Sequence, residues 1–127
     1  MAEQNSQIST RIFGEQQEEK AASYLKQHGL ELIEHNFQCK CGEIDLIMRD
    51  QDYLVFVEVR FRKRDKYGDG ADSVTPNKQR KIIRTAKFYL QQKKLYGKCP
   101  CRFDVVSVKN KENNNKYHWI KDAFWVE

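Results

Sequence analysis

The chain has 127 residues, 39% of them apolar and 32% charged, and carries a net charge of +5. That length fits one domain, residues 1–127, able to bury about two-thirds of its unfolded surface without disulfides or metal; two Trp, six Tyr and seven Phe against six Gly and two Pro exclude disordered, collagen-like and linker-like chains. No apolar run approaches the roughly 18 residues of a membrane span and the opening MAEQNSQIST holds no secretory core, so no membrane partner and a cytoplasmic location are expected.

Taken in chain order, residues 1–10 are expected to form a flexible N-terminus. The spacing predicts a helix over 9–28, capped by Ser9 or Thr10 and ended by Gly29. Gly14, Glu18, Ala21, Ala22 and Leu25 share one face of it, so Glu18 falls inside the inward stripe while Glu15 and Glu19 lie at its edge or off it. A carboxylate on a packed helix face is costly unless something compensates it. Strands are predicted over 30–38, 43–48 and 53–61, the last two forming a hairpin around a turn at 49–52. A polar loop over 62–75 precedes a second helix over 76–95, with Thr75 as N-cap, Pro76 at the first helical position and Gly97 beyond its end. Strands over 103–108 and 117–120, joined by Asn113-Asn114-Asn115, complete the order α-β-β-β-α-β-β. The expected fold class is α/β, a mixed central sheet of about five strands flanked by helices.

Two acids stand inside apolar strand runs: Ile44-Asp45-Leu46-Ile47 and Val57-Glu58-Val59. A four-residue turn at 49–52 pairs residue 48 with 53 and Asp45 with Phe56, which leaves Glu58 two residues along on the same face. Two carboxylates this close repel, and a divalent cation offsets the repulsion directly; oxygen ligands favour Mg²⁺ or Mn²⁺. Glu18 supplies a third carboxylate if its helix packs on that face. Arg60 follows Glu58 by two residues and adds positive charge on the same side. The same spacing also suits a plain pair of strand acids neutralised by Arg60 and nearby lysines.

Gly42-Glu43-Ile44-Asp45-Leu46-Ile47 followed by Val55-Phe56-Val57-Glu58-Val59-Arg60 resembles the signature of the YraN/UPF0102 family. Glu18-x-x-Ala21-x-x-Tyr24-Leu25-x-x-x-Gly29, Lys78 and Arg102-Phe103-Asp104-Val105-Val106 resemble its other blocks, so the resemblance spans about residues 13–108. That family is similar to archaeal Holliday-junction resolvases within the restriction-endonuclease-like superfamily. The resemblance implies a restriction-endonuclease-like fold and Mg²⁺-dependent phosphodiester hydrolysis. It also implies metal ligands at Glu18, Asp45 and Glu58, with Glu58-Val59-Arg60 in the place of (Asp/Glu)-x-Lys. Two positions depart from the pattern. Gln17 stands where the family often has Gly, which is expected to matter little. Arg60 stands where the superfamily has Lys, and arginine cannot give up its proton; it can still neutralise charge developing on the phosphorus.

Residues 60–98 hold 13 Lys/Arg against three Asp, while the remainder holds ten Lys/Arg against 15 acids. Charge alone fits a polyanion-binding surface and a solvated basic helix equally well. Arg62, Lys63 and Arg64 sit among Phe61 and Tyr67, and Lys78, Arg80, Lys81 and Arg84 follow on the second helix. Cations for phosphates with aromatics for stacking suit nucleic acid, and the expected partner is branched or structured DNA. The expected function is therefore a metal-dependent, structure-selective nuclease. The alternatives are a nucleic-acid-binding protein that keeps the nuclease fold with weak or no turnover, and a scaffold using the aromatic tail 119–125, which either closes the core or forms a homodimer contact. Cys39-x-Cys41 and Cys99-x-Cys101 are closer together than structural zinc ligands usually are; free cytosolic thiols, a zinc site and a disulfide all remain open. His28, at a helix end, is expected to meet the terminal carbonyls.

Overall fold

The computed structural model describes residues 2–62, 74–111 and 114–125. Two helices cover opposite faces of a five-stranded mixed sheet of order β1-β2-β3-β4-β5. The elements are α1 (Ala2–Gln27), β1 (Glu31–Cys39), β2 (Gly42–Asp50), β3 (Tyr53–Arg62), α2 (Pro76–Gln92), β4 (Cys101–Lys111) and β5 (Asn114–Phe124). This is the α-β-β-β-α-β-β arrangement of a restriction-endonuclease-like fold. Only β3 and β4 run parallel, and α2 is the helical crossover that a parallel pair requires. Among the described residues no helix is long and apolar enough to cross a membrane.

Burial on both faces explains the apolar run Leu54-Val55-Phe56-Val57 in β3, every residue of which is buried. Leu54 and Phe56 join Ile82, Ala86 and Tyr89 of α2 in one core layer. Val55 and Val57 join Ala21, Ala22 and Leu25 of α1 in the other. Phe124 of the aromatic tail closes the core, while Trp125 after it is exposed. Phe124 stacks on Phe103 with ring centroids 5.0 Å apart, and Tyr117 stacks on Tyr24 at 4.4 Å.

Helix ends follow local chemistry. Gly29 adopts φ 95° after α1, and the Leu30 N–H reaches the Leu25 carbonyl at 3.1 Å while the Gly29 N–H reaches that of Lys26 at 3.0 Å. This closure needs a left-handed residue, which glycine supplies without strain. His28 Nδ1 donates to the Tyr24 carbonyl at 2.8 Å, the terminal contact expected of it. Thr75 caps α2 by accepting from the Lys78 N–H at 3.2 Å, with Pro76 behind it.

Several boundaries differ from expectation. α1 begins at Ala2, not at 9, so residues 2–10 are helical where a flexible end was expected; no Gly or Pro interrupts the sequence before Gly14. α2 stops at Gln92, short of 95, because Lys94 turns left-handed at φ 59° and Leu95 folds back to bond the Leu90 carbonyl and pack on the core. The hairpin turn is two residues, Gln51 and Asp52, not four: Asp50 pairs with Tyr53 and Leu46 with Val57. The Asp45–Phe56 pairing expected from a longer turn therefore does not occur.

Candidate active site

The β2–β3 ladder stops at Leu46–Val57. Just beyond, the Val59 N–H gives its hydrogen bond to Asp45 Oδ2 at 2.8 Å. Asp45 thus takes over with its side chain a donor that a regular hairpin would give to backbone. On its other edge, β2 pairs Leu46 with His35 and Ile44 with Phe37, passing over Asp45 and Asn36, and Asn36 has φ 54°. The chain is kinked there: Ile44 belongs to the α2-side core layer and Leu46 to the α1-side layer, although residues two apart on a regular strand share a face. Asp45 and Glu58 therefore do converge, but through a kink and an opened ladder rather than through regular alternation.

The opening forms a cavity of about 220 Å³ between the middle of α1 and the start of α2. Glu18 from α1, Asp45 from β2 and Glu58 from β3 all line it. Asp45 is held to a pKa of about 8, first by burial and then by the neighbouring Glu58 charge; the Val59 N–H opposes the shift, while the Glu18 charge and a hydrogen bond between the Asp45 and Glu58 carboxyls add to it. Glu18 is also pushed above the usual carboxylate range, by burial first and then by Glu43, with Glu15 and Glu58 adding and His35 opposing. Its Oε1 is buried without a hydrogen-bond partner. The three acids do not form a closed cage as they stand: among the described residues no three Asp, Glu, His or Cys side chains are grouped so as to hold an ion.

The cation at this site comes from α2. Lys78 Nζ lies 2.6 Å from Glu58 Oε2, with Glu58 only 7% exposed and Lys78 half exposed. The Thr75–Pro76 start of the helix sets this contact, since it places Lys78 in the first turn facing the sheet end. Arg60 is half-buried further along β3 and does not line the cavity. Sequence reasoning put Arg60 beside the acids and Lys78 on the outer basic surface; in the structure Lys78 lines the cavity and Arg60 does not, because the start of α2 points into the opening.

Sequence reasoning also passed over two further lining residues. Gln17 is buried, lines the cavity and has an unpartnered Oε1, so its departure from the family's Gly is not neutral space. Glu43 lines it too and accepts from Gln38 Nε2 at 3.3 Å. Position next to Glu18 in the stripe was the available signal for Gln17. Nothing local marked Glu43, whose placement depends on the β1–β2 register. Phe13 meets Phe61 edge-on at 4.6 Å, and both rings border the cavity.

The expected basic surface divides into parts. Lys78 faces the acids, Lys81 packs beside Gly42, and Arg80 and Arg84 line a separate groove on α2. Arg62 ends β3, while Lys63 and Arg64 lie outside the described residues. All four cysteines are free thiols. Cys39 Sγ accepts from the Cys41 N–H, Cys101 contacts the Cys99 carbonyl, and the two pairs make no joint metal cluster among the described residues.

The sequence profile of the uncharacterised protein family UPF0102 matches residues 17–108, a stretch that contains all three acids and Lys78. A UPF0102 protein of Nitrosococcus oceani is 46% identical over 114 residues, covering 90% of this chain and 92% of that protein. One from Hahella chejuensis is 48% identical over 117 residues, covering 92% and 93%. A third, from Legionella pneumophila, is 46% identical over 115 residues, covering 91% and 96%.

Proposed function

The chain belongs to the UPF0102 family, and from that premise we propose that it is a metal-dependent nuclease that hydrolyses phosphodiester bonds in structured DNA. The observation that carries this reading is the convergence of Glu18, Asp45 and Glu58, from three separate elements, on one small cavity in which Asp45 and Glu18 are held above their ordinary pKa by burial and by neighbouring carboxylates. A fold gains nothing from gathering like charges where water is scarce, and such clusters mark functional sites. The donor set fits a hard divalent cation. It is all carboxylate oxygen, and Glu18 already presents a buried oxygen with no partner.

In this reading Glu18, Asp45 and Glu58 hold Mg²⁺ or Mn²⁺. The ion supplies Lewis acidity toward a phosphoryl oxygen and toward water. Lys78 stands 2.6 Å from Glu58, holds that carboxylate in place, and neutralises charge at the edge where a phosphate would sit. Arg60, always charged, lies further along the strand with Arg62 and contributes to holding the backbone. Asp45 has to give up its proton to act as a ligand, so binding of the ion competes with that proton.

The second reading is a binding protein that keeps the nuclease fold without turnover. It is favoured by Arg60 in place of lysine on the strand and by the protonated state of Asp45 at neutral pH. One experiment orders the two. Labelled duplex, flap, single-stranded and four-way-junction DNA are incubated with the protein and Mg²⁺ or Mn²⁺, beside Asp45→Asn. We expect metal-dependent cleavage that falls on the order of 100-fold in the variant, as loss of a metal ligand or its support does. Salt-sensitive binding without cleavage establishes the second reading, and neither binding nor cleavage removes both.

A further inference from the structure

A second cavity, about 650 Å³ in volume, lies away from the acids between the outer face of α2 and the end of β5. Arg80, Arg84 and Lys87 line one wall, spaced i, i+4 and i+7 along the helix. Ile83 and the buried Phe124 also line it, and Trp125, 66% exposed, forms its other side. No carboxylate lines it among the described residues. Arg80 is steadied by Asn77, whose Oδ1 accepts from its Nη2 at 3.2 Å. Lys78 turns away from this groove toward Glu58, so α2 presents one cation to the acids and three to the groove.

We propose that this groove binds a single-stranded segment of nucleic acid, its phosphates on Arg80, Arg84 and Lys87 and one unpaired base stacked on Trp125. The three cations span roughly 10 Å at 1.5 Å per residue, a row that can follow the phosphates of one strand. An exposed indole beside a row of cations offers what a single strand needs: a flat face for a base and charge for its backbone. A duplex keeps its base faces stacked inside and cannot use the indole. The volume lies in the range of ordinary ligand sites. The inference rests on the nucleic-acid reading above but not on turnover. It makes the preferred ligand a nucleic acid with an unpaired arm.

The test measures binding alone, by fluorescence anisotropy with a chelator present, using the full chain. The probes are a 20-nucleotide oligothymidylate, an oligouridylate of the same length and a 20-base-pair duplex. Trp125 follows the last strand and is exposed, so Trp125→Ala and Trp125→Phe are expected to fold; thermal unfolding checks this. Trp125→Ala should weaken one or both single strands about tenfold and the duplex less than twofold, while Trp125→Phe keeps most of the affinity. The more affected of the two oligonucleotides says whether the strand is DNA or RNA. The triple variant R80A/R84A/K87A should lower the slope of log affinity against log salt by about two for the single strand. Equal weakening of duplex and single strand, or no change in Trp125→Ala, overturns the proposal. So does a doubling of mass in sedimentation that Trp125→Ala abolishes, since the face would then join two copies of the chain. Cleavage with an unaltered Trp125→Ala affinity sinks the groove and leaves the nuclease; the tenfold loss without cleavage does the reverse.

Discussion

Two aspartates on this sheet, half-buried Asp45 and fully buried Asp104, have opposite surroundings. Asp104, fully buried on β4, is surrounded by donors: Arg102 Nε reaches both its oxygens at 3.1 and 3.2 Å, Trp119 Nε1 donates at 2.9 Å and the Asp122 N–H at 2.9 Å. Arg102 goes on to Asp50 at 2.8 Å and lies over the Tyr53 ring, so the network ties the hairpin, β4 and β5 together. Asp45 receives one N–H, from Val59, and faces two further carboxylates. A buried charge that is saturated with donors belongs to the architecture. One left beside its own kind is stored unfavourable energy, and folds keep that only where something else is meant to bind.

The largest expected effect breaks the architectural side. Asp104→Ala leaves the Arg102 Nε, the Trp119 indole and the Asp122 N–H without their acceptor, and should cost about 3–5 kcal/mol of stability in urea unfolding. A loss below about 1 kcal/mol would mean that solvent replaces the acceptor and that the contrast between the two aspartates is false.

Next comes the electrostatic signature of Asp45. Its folded pKa of about 8 stands above the ordinary 3.8, so between these values the folded chain holds a proton that the unfolded chain does not. Stability therefore falls as pH rises from about 4 to about 8 and levels off above that. Glu18, shifted in the same direction, adds to the slope. Asp45→Asn should flatten the profile and leave the variant more stable than the parent at pH 8, read as melting temperature across pH 5–9 without metal. Added Mg²⁺ should raise the parent's melting temperature more at pH 8 than at pH 5, because the ion and the proton compete. A profile unchanged by Asp45→Asn would place the strain elsewhere.

The smallest effect sharpens the site's outline. A half-exposed charge-assisted contact such as Lys78–Glu58 is worth about 1.5 kcal/mol, roughly tenfold in rate. Lys78→Ala should lower cleavage about tenfold, and Arg60→Ala less than about threefold. The opposite ranking would return the site's cation to the strand.

How much of this was readable in the residues differs from element to element. Periodicity placed Glu18 on the packed face of its helix, and the apolar runs around Asp45 and Glu58 marked both as acids in apolar surroundings; Glu58 is buried and Asp45 half-buried. Thr75-Pro76 marked the start of α2, and Gly29 the end of α1. These are local properties: a side chain's neighbours within a turn or a strand set them, and the chain order carries them. Asp45's partner was misread because two residues of turn instead of four shift the whole register. That choice depends on Gln51 accepting a left-handed backbone, φ 57°, which its residue type does not announce. Lys78 rather than Arg60 lines the cavity because a cation's place is decided by which helix end meets which strand end, and these two residues lie 18 positions apart along the chain.

The amino-acid order by itself determined that the protein is a two-sided α/β domain with three acids in apolar settings and a cationic second helix, since burial and periodicity follow from composition over short windows. Only the tertiary structure decided that the β2–β3 ladder opens beside Asp45 and that Lys78 closes on Glu58. It also decided that Trp125 and three cations of α2 face one another across a groove. Each of these is a meeting of segments far apart in sequence, and long-range packing energy, not local preference, selects such meetings.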